Sequence, residues 1–203
     1  MRSRASYSNH TAWMAQNLMK TFLLHFAAAL IFATVAGAQT CREVVRDSSG
    51  RIVQTVEYRQ QSAGTVQAMT RDASGKITGT ATSRTNAGGS TVRTEYRDAS
   101  GRVAGSAATN SAGSGPIRTT YRDASGRIVG SADTSTSSAS TTRTQFRNAS
   151  GGLTGDSTTR GNTAGSFSST QRDAAGRVAL SSTSTGKCPS GVKVPHPPFV
   201  PKK

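Results

Sequence analysis

The most regularly spaced reactive groups in this 203-residue chain are carboxylates. Asp47, Asp72, Asp98, Asp123 and Asp173, with Asn148 in the fifth place, recur every 25 or 26 residues. Each follows an arginine and stands three residues before a glycine: Gly50, Gly75, Gly101, Gly126, Gly151 and Gly176. A calcium site needs several oxygens converging on one point, whereas each of these carboxylates is alone and has an arginine on either side in most copies. No metal and no cofactor is therefore expected. Catalysis needs a base beside a nucleophile, paired carboxylates or a metal cluster. Once an N-terminal leader is discounted, the only histidine is His196, in the proline-rich stretch from Pro195 to Lys203. No catalytic residue is assigned, and a non-enzymatic role is expected. Two kinds of chemistry remain. Cys41 and Cys188 can form a disulfide. Arg93, Arg118 and Arg143 share one position in three successive repeats, while Arg97, Arg122 and Arg147 precede the turns. Those six are the candidate polyanion-binding residues.

The element that positions all of them is a repeated turn, since a fixed period of this size marks a repeat architecture. In the segment Arg97-Asp-Ala-Ser-Gly-Arg-Val103, Asp98 can accept a hydrogen bond from the backbone two residues on, and Gly101 supplies the positive φ of a G1 bulge. The result is a three-residue hairpin loop. The flanking residues Thr91 to Arg97 alternate, and Arg102 to Thr109 are small and compatible with strands. An exposed ion pair between Asp98 and Arg102 is the structural expectation across the loop. Glycine-rich stretches such as Thr85 to Ser90 then return the chain to the next hairpin. Six hairpins predict an all-β fold of about twelve short antiparallel strands.

The units Tyr96-Arg-Asp-Ala-Ser-Gly-Arg-Val103 and Tyr121-Arg-Asp-Ala-Ser-Gly-Arg-Ile128 resemble the YD or RHS repeat, an aromatic and a Tyr-Asp pair followed by Gly-Arg and an aliphatic residue. Phe146 keeps the aromatic in the next copy, while arginine replaces the tyrosine before the aspartate and Val45, Thr70 and Gln171 replace the outer aromatic. In that family, hairpins join into a long sheet that can enclose a toxic cargo, so the resemblance implies a structural role for the repeats. Six hairpins without a toxin domain are too few for such a shell, and only the hairpin is carried over.

The cysteines bracket the repeats, and in an exported chain a disulfide between them persists. An open row of twelve strands would be about 50 Å wide, whereas bonded cysteines need Cα atoms within about 7 Å. Even-numbered strands put both cysteines on one rim, so closure into a barrel-like or rolled sheet is favoured over an open repeat sheet, and it removes both free edges. The competing arrangement pairs each thiol with another molecule and builds a fibre. Two matters stay open: whether the interior is wet or the sheet flattens, and whether Tyr96 or Arg97 shares a face with Val103.

Residues 1–38 read as a signal peptide: an apolar run from Phe22 to Val35 follows Lys20 and ends in Ala36-Gly37-Ala38, with cleavage expected after Ala38. Met19 would open a leader of ordinary length, and Met14 is a second candidate start. The domain expectations are then a leader at 1–38, six repeats at 39–188 and a basic, proline-rich tail at 189–203. No transmembrane segment is expected in the mature chain. The full chain carries a net charge of +15 with 33% hydrophobic and 5% aromatic residues, too few large apolar side chains for a thick globular core. Localisation is expected in the periplasm, on the cell surface or outside the cell. The charge favours anionic partners: a surface polysaccharide, lipopolysaccharide or an acidic protein. A dedicated nucleic-acid partner is not expected, because few aromatics remain to act as stacking platforms. The alternative function is a matrix or fibre-forming protein, amyloid-like or disulfide-linked; oligomeric state is not read from the sequence.

Overall fold

The computed structural model describes residues 40–111, 115–161 and 165–188. The leader and tail expectations fall outside the described residues. Twelve strands follow one another: β1 Thr40–Asp47, β2 Ile52–Ser62, β3 Thr65–Asp72, β4 Ile77–Thr85, β5 Thr91–Asp98, β6 Val103–Asn110, β7 Ile117–Asp123, β8 Ile128–Ser138, β9 Thr141–Asn148, β10 Leu153–Gly161, β11 Phe167–Asp173 and β12 Val178–Gly186. Every strand pairs antiparallel with its neighbours in sequence, and β12 pairs with β1, so the sheet is a closed barrel.

The six turns between odd and even strands share one backbone solution. The N–H of Gly101 donates to the carbonyl of Asp98 at 3.0 Å, that of Asp98 to Arg102 at 2.9 Å, and Gly101 has a φ of 82°. These are the type I turn and G1 bulge expected from the residues. Two of the five returns between hairpins are tighter than a glycine-rich loop. Ser62 pairs with Thr65 and Ser138 with Thr141, leaving two-residue turns, because Ser and Thr continue the strands where a loop is expected.

A bulge beside each Asp turn settles which face the aromatics take. Arg97 lies opposite Val103, but Tyr96 lies opposite Gly105. Tyr96 therefore points inward, while Arg97 and Val103 share the outside. Tyr121 and Phe146 repeat this against Gly130 and Gly155. In four of the six repeats this position is glycine, with Gln54 and Leu180 holding it in the first and last, and in those four the lack of a side chain allows a close approach across the seam. A Cβ on Gly105 would sit 2.5 Å from the carbonyl oxygen of Arg122 in the next repeat, and one on Gly130 equally close to that of Arg147.

The interior combines aromatics with hydroxyls. Tyr96 packs against two buried clusters, one containing Val56, Tyr58, Val66 and Ala81, the other Ala107, Tyr121 and Ala132. At the seams between hairpins, equivalent positions face each other inside and hydrogen-bond hydroxyl to hydroxyl: Ser83 with Thr94 at 2.7 Å, Thr109 with Thr119 and Thr134 with Thr144 at 2.9 Å, and Thr159 with Ser169 at 3.1 Å. A hydroxyl can donate or accept, so each pair gives both oxygens a hydrogen-bond partner within the protein, as burial requires. Ser83 and Thr94 are buried accordingly. The interior is filled most tightly along β1 to β8. On β9 to β11 the inward Thr142, Thr144, Ser157, Thr159, Ser169 and Gln171 are only partly buried.

At the first seam Tyr58 takes the place of a small hydroxyl residue, and its O–H donates to Oε2 of buried Glu43 at 2.6 Å. Burial, then the neighbouring Glu43 carboxylate, push the Tyr58 phenol well above its ordinary range. Burial does the same to Tyr96 and Tyr121.

Candidate functional site

The disulfide forms between Cys41, near the start of β1, and Cys188, just past β12, with Cα atoms 4.7 Å apart. It lies on the rim opposite the Asp turns, across the β1–β12 seam that closes the barrel. The two cysteines thus share one rim, as an even number of strands requires.

The turn residues form a ring on the other rim. In each of the five aspartate turns, one carboxylate oxygen caps the backbone. Oδ1 of Asp98 accepts from the Ser100 N–H at 2.9 Å, the Ser100 hydroxyl at 2.7 Å and the Arg102 N–H at 3.0 Å. Asp47, Asp72 and Asp123 repeat the triplet, and Asn148 uses its amide oxygen for the hydroxyl of Ser150 and the N–H of Gly152. The expected ion pair across the loop occurs, among the described residues, only between Asp173 and Arg177 at 3.3 Å. Elsewhere the residue after the glycine contributes its backbone N–H instead. The arginine before the aspartate has its own structural task. Arg46, Arg71, Arg97, Arg122, Arg147 and Arg172 each donate Nη1 to the carbonyl of the turn glycine at 2.8–3.0 Å.

These bonds hold the carboxyls low. In Asp47, Asp72, Asp98 and Asp123 the serine hydroxyl contributes most; in Asp173 the Arg177 N–H does. A carboxyl depressed in the folded state adds stability that is complete above its unfolded value, near pH 4, and is lost as the pH falls through the folded value. The urea midpoint of the wild-type chain is accordingly expected to fall on acidification below about pH 4. Replacing all five aspartates by asparagine, the residue already present at position 148, should flatten that fall. An unchanged acid limb in the variant would show that the turns do not set it.

All six candidate polyanion-binding arginines lie on the outer face, with different surroundings. Arg118 makes a two-pronged contact with Asp133, at 2.8 and 3.2 Å, and Arg143 approaches Asp156 at 3.3 Å. Arg97 pairs with Glu95 at 2.6 Å, and Arg147 lies 4.0 Å from Asp133. Arg122 caps Gly126. Arg93 differs from the other arginines at its repeat position: its cross-strand neighbours are Ala108 on β6 and Arg84 on β4. Two exposed arginines therefore stand side by side across β4 and β5, and neither makes an ion pair among the described residues, the neighbouring Glu95 being paired with Arg97. Arg84 escapes sequence inspection because it falls in the irregular half of the repeat, and only the register brings it beside Arg93. A shallow groove of about 170 Å³ on β10 and β11 is lined by Arg160, Arg172, Thr158, Ser168 and Thr170. It too joins two cations to hydroxyls on the outer face. Among the described residues no group of three His, Cys, Asp or Glu side chains could hold a metal ion, and no helix is long and apolar enough to cross a membrane.

No family model matches the chain, and no curated protein or solved structure matches it.

Proposed function

We propose that the protein is an exported, non-catalytic binding barrel that holds anionic surface polymers against its outer face. The observation that carries this reading is the cross-strand pair Arg84 and Arg93. Like charges directly opposite on a sheet are unfavourable unless a counter-charge arrives; among the described residues neither arginine has an ion pair, the nearby Glu95 being paired with Arg97, whereas the equivalent Arg118 has Asp133. A sulfated or carboxylated polysaccharide, or the phosphates of lipopolysaccharide, would supply it, and the arginine fork suits such groups. The Arg160–Arg172 groove offers the same chemistry with hydroxyl donors added. Export is supported by the Cys41–Cys188 bond, a chemistry of oxidising compartments. The fibre alternative has less support, since every strand is paired on both sides and the disulfide is internal. The likeness of the repeat unit to YD repeats fits a structural scaffold on which such a surface is mounted.

Heparin affinity chromatography tests this reading. The processed protein is expected to remain bound beyond about 0.1 M salt, where the Debye length is roughly 10 Å and diffuse attraction fades. The double variant Arg84→Gln, Arg93→Gln should elute at clearly lower salt, and Arg118→Gln, which removes a neutralised cation, should elute closer to wild type. Equal elution of the double variant and wild type would refute the site.

A further inference from the structure

The Asp-turn rim carries a second recurring feature. The residue five after each aspartate or asparagine is a large aliphatic, and in all six repeats it is exposed: Ile52, Ile77, Val103, Ile128, Leu153 and Val178, at 37–49%. Single exposed apolar residues are ordinary, but six at one position of a closed repeat are not scattered. From one hairpin to the next the register is the same: Gly79 pairs with Asp98, Gly105 with Asp123, Gly130 with Asn148 and Gly155 with Asp173. Equal steps around a closed ring place equivalent residues at equal height, so the six aliphatics form a level crown, spaced by two strands or on the order of 10 Å.

Each aliphatic stands opposite the arginine that precedes its turn, as Val103 does opposite Arg97. A lysine or arginine follows the turn glycine in five of the six repeats. The rim thus presents eleven cations against five aspartates, and one oxygen of each aspartate is already committed to its own turn. Lys76, Arg102 and Arg127 make no ion pair among the described residues.

We infer that this rim docks on an anionic lipid surface, with the six aliphatics entering the interface and the surrounding cations contacting headgroup phosphates. A flat partner can meet a level crown at all six points at once, which multiplies weak contacts. Interfacial binding scales with buried apolar area plus attraction to anionic lipid, and the crown supplies both. A second copy docked rim to rim is disfavoured, because two basic crowns would repel. The crown is separate from the Arg84–Arg93 pair, which lies toward the opposite rim, and the two surfaces can be tested apart.

The test is co-sedimentation of the processed protein with phosphatidylcholine vesicles with and without phosphatidylglycerol. Binding to the anionic vesicles only is expected. The variant Ile77→Asn, Ile128→Asn, Leu153→Asn should lose roughly tenfold or more in vesicle affinity while keeping its elution from heparin. The variant Lys76→Gln, Arg102→Gln, Arg127→Gln keeps the backbone N–H groups that the aspartates cap, so it leaves the turns intact should the first variant fold poorly. It should also lose vesicle binding and make what remains less sensitive to salt. Arg84→Gln with Arg93→Gln should lower heparin retention and leave vesicle binding unchanged. The proposal is overturned if wild type binds neither vesicle, if it binds both equally, or if a folded crown variant binds like wild type. It is equally overturned if sedimentation shows a rim-to-rim dimer that the same crown variants dissolve.

Discussion

Reducing the Cys41–Cys188 bond is expected to lower the free energy of unfolding by about 5 kcal/mol, the loop-closure value for a link of this length. The bond spans 147 residues, nearly all of the described chain. Domains of ordinary size have only about 5–15 kcal/mol to lose, so the reduced barrel should be marginal. The effect should also have a location. The bond crosses the β1–β12 seam, and that seam alone closes strands distant in sequence; every other ladder joins sequence neighbours. Opening should begin there, with Cys41 to Asp47 and Leu180 to Gly186 gaining amide exchange first. Urea unfolding with and without reductant, and of the variant Cys41→Ser, Cys188→Ser, measures the change. A midpoint that does not move in any of these would mean the ladder alone holds the barrel shut.

Gly105→Ala is expected to destabilise the barrel by about 3 kcal/mol, the upper end of overpacking in a well-packed site. Gly101→Ala should cost about 1–2 kcal/mol, the penalty for an L side chain at positive φ. This ordering inverts what the repeat motif suggests, since Gly101 belongs to the motif and Gly105 does not. At Gly101 the φ is 82° and nothing lies within 4 Å of an added Cβ, so only backbone strain opposes alanine. At Gly105 the obstacle is the Arg122 carbonyl oxygen at 2.5 Å, which belongs to the seam with the next hairpin and can move only if the seam shifts. Gly130→Ala against Gly126→Ala should repeat the ranking, because the contacts recur. Thermal melts of the four single variants decide it. If alanine costs as much at the turn glycines as at the seam glycines, the close approach across the seam does not control packing.

Much of the candidate surface was out of reach of the residues alone. Arg93, Arg118 and Arg143 look equivalent by period, yet Arg118 and Arg143 meet carboxylates while Arg93 meets Arg84. The acids come from the even strands, where the repeat is least regular, and only cross-strand register says who faces whom. Arg97, Arg122 and Arg147 likewise read as free charge but each is bound to a turn carbonyl. Arg42, on β1, occupies the same repeat position as Arg93, but Gln67 falls between them in the series and hides the match. The hydroxyl pairs inside the seams were invisible for a related reason: serine and threonine are so common here that no one residue marks an inward position.

What the chain alone determined is local. Asp, two small residues and Gly in succession specify a type I turn with a G1 bulge, because those backbone angles and hydrogen bonds lie within five residues; six copies then imply twelve antiparallel strands, and two terminal cysteines on one rim imply closure. Tertiary structure decided everything that depends on a one-residue step. The bulge turned Tyr96 in and Val103 out, set Gly105 under a neighbouring carbonyl, and placed Arg84 beside Arg93. Side chains alternate faces along a strand, so a single added residue reverses every assignment beyond it, and that choice is made by packing across strands rather than by any segment on its own.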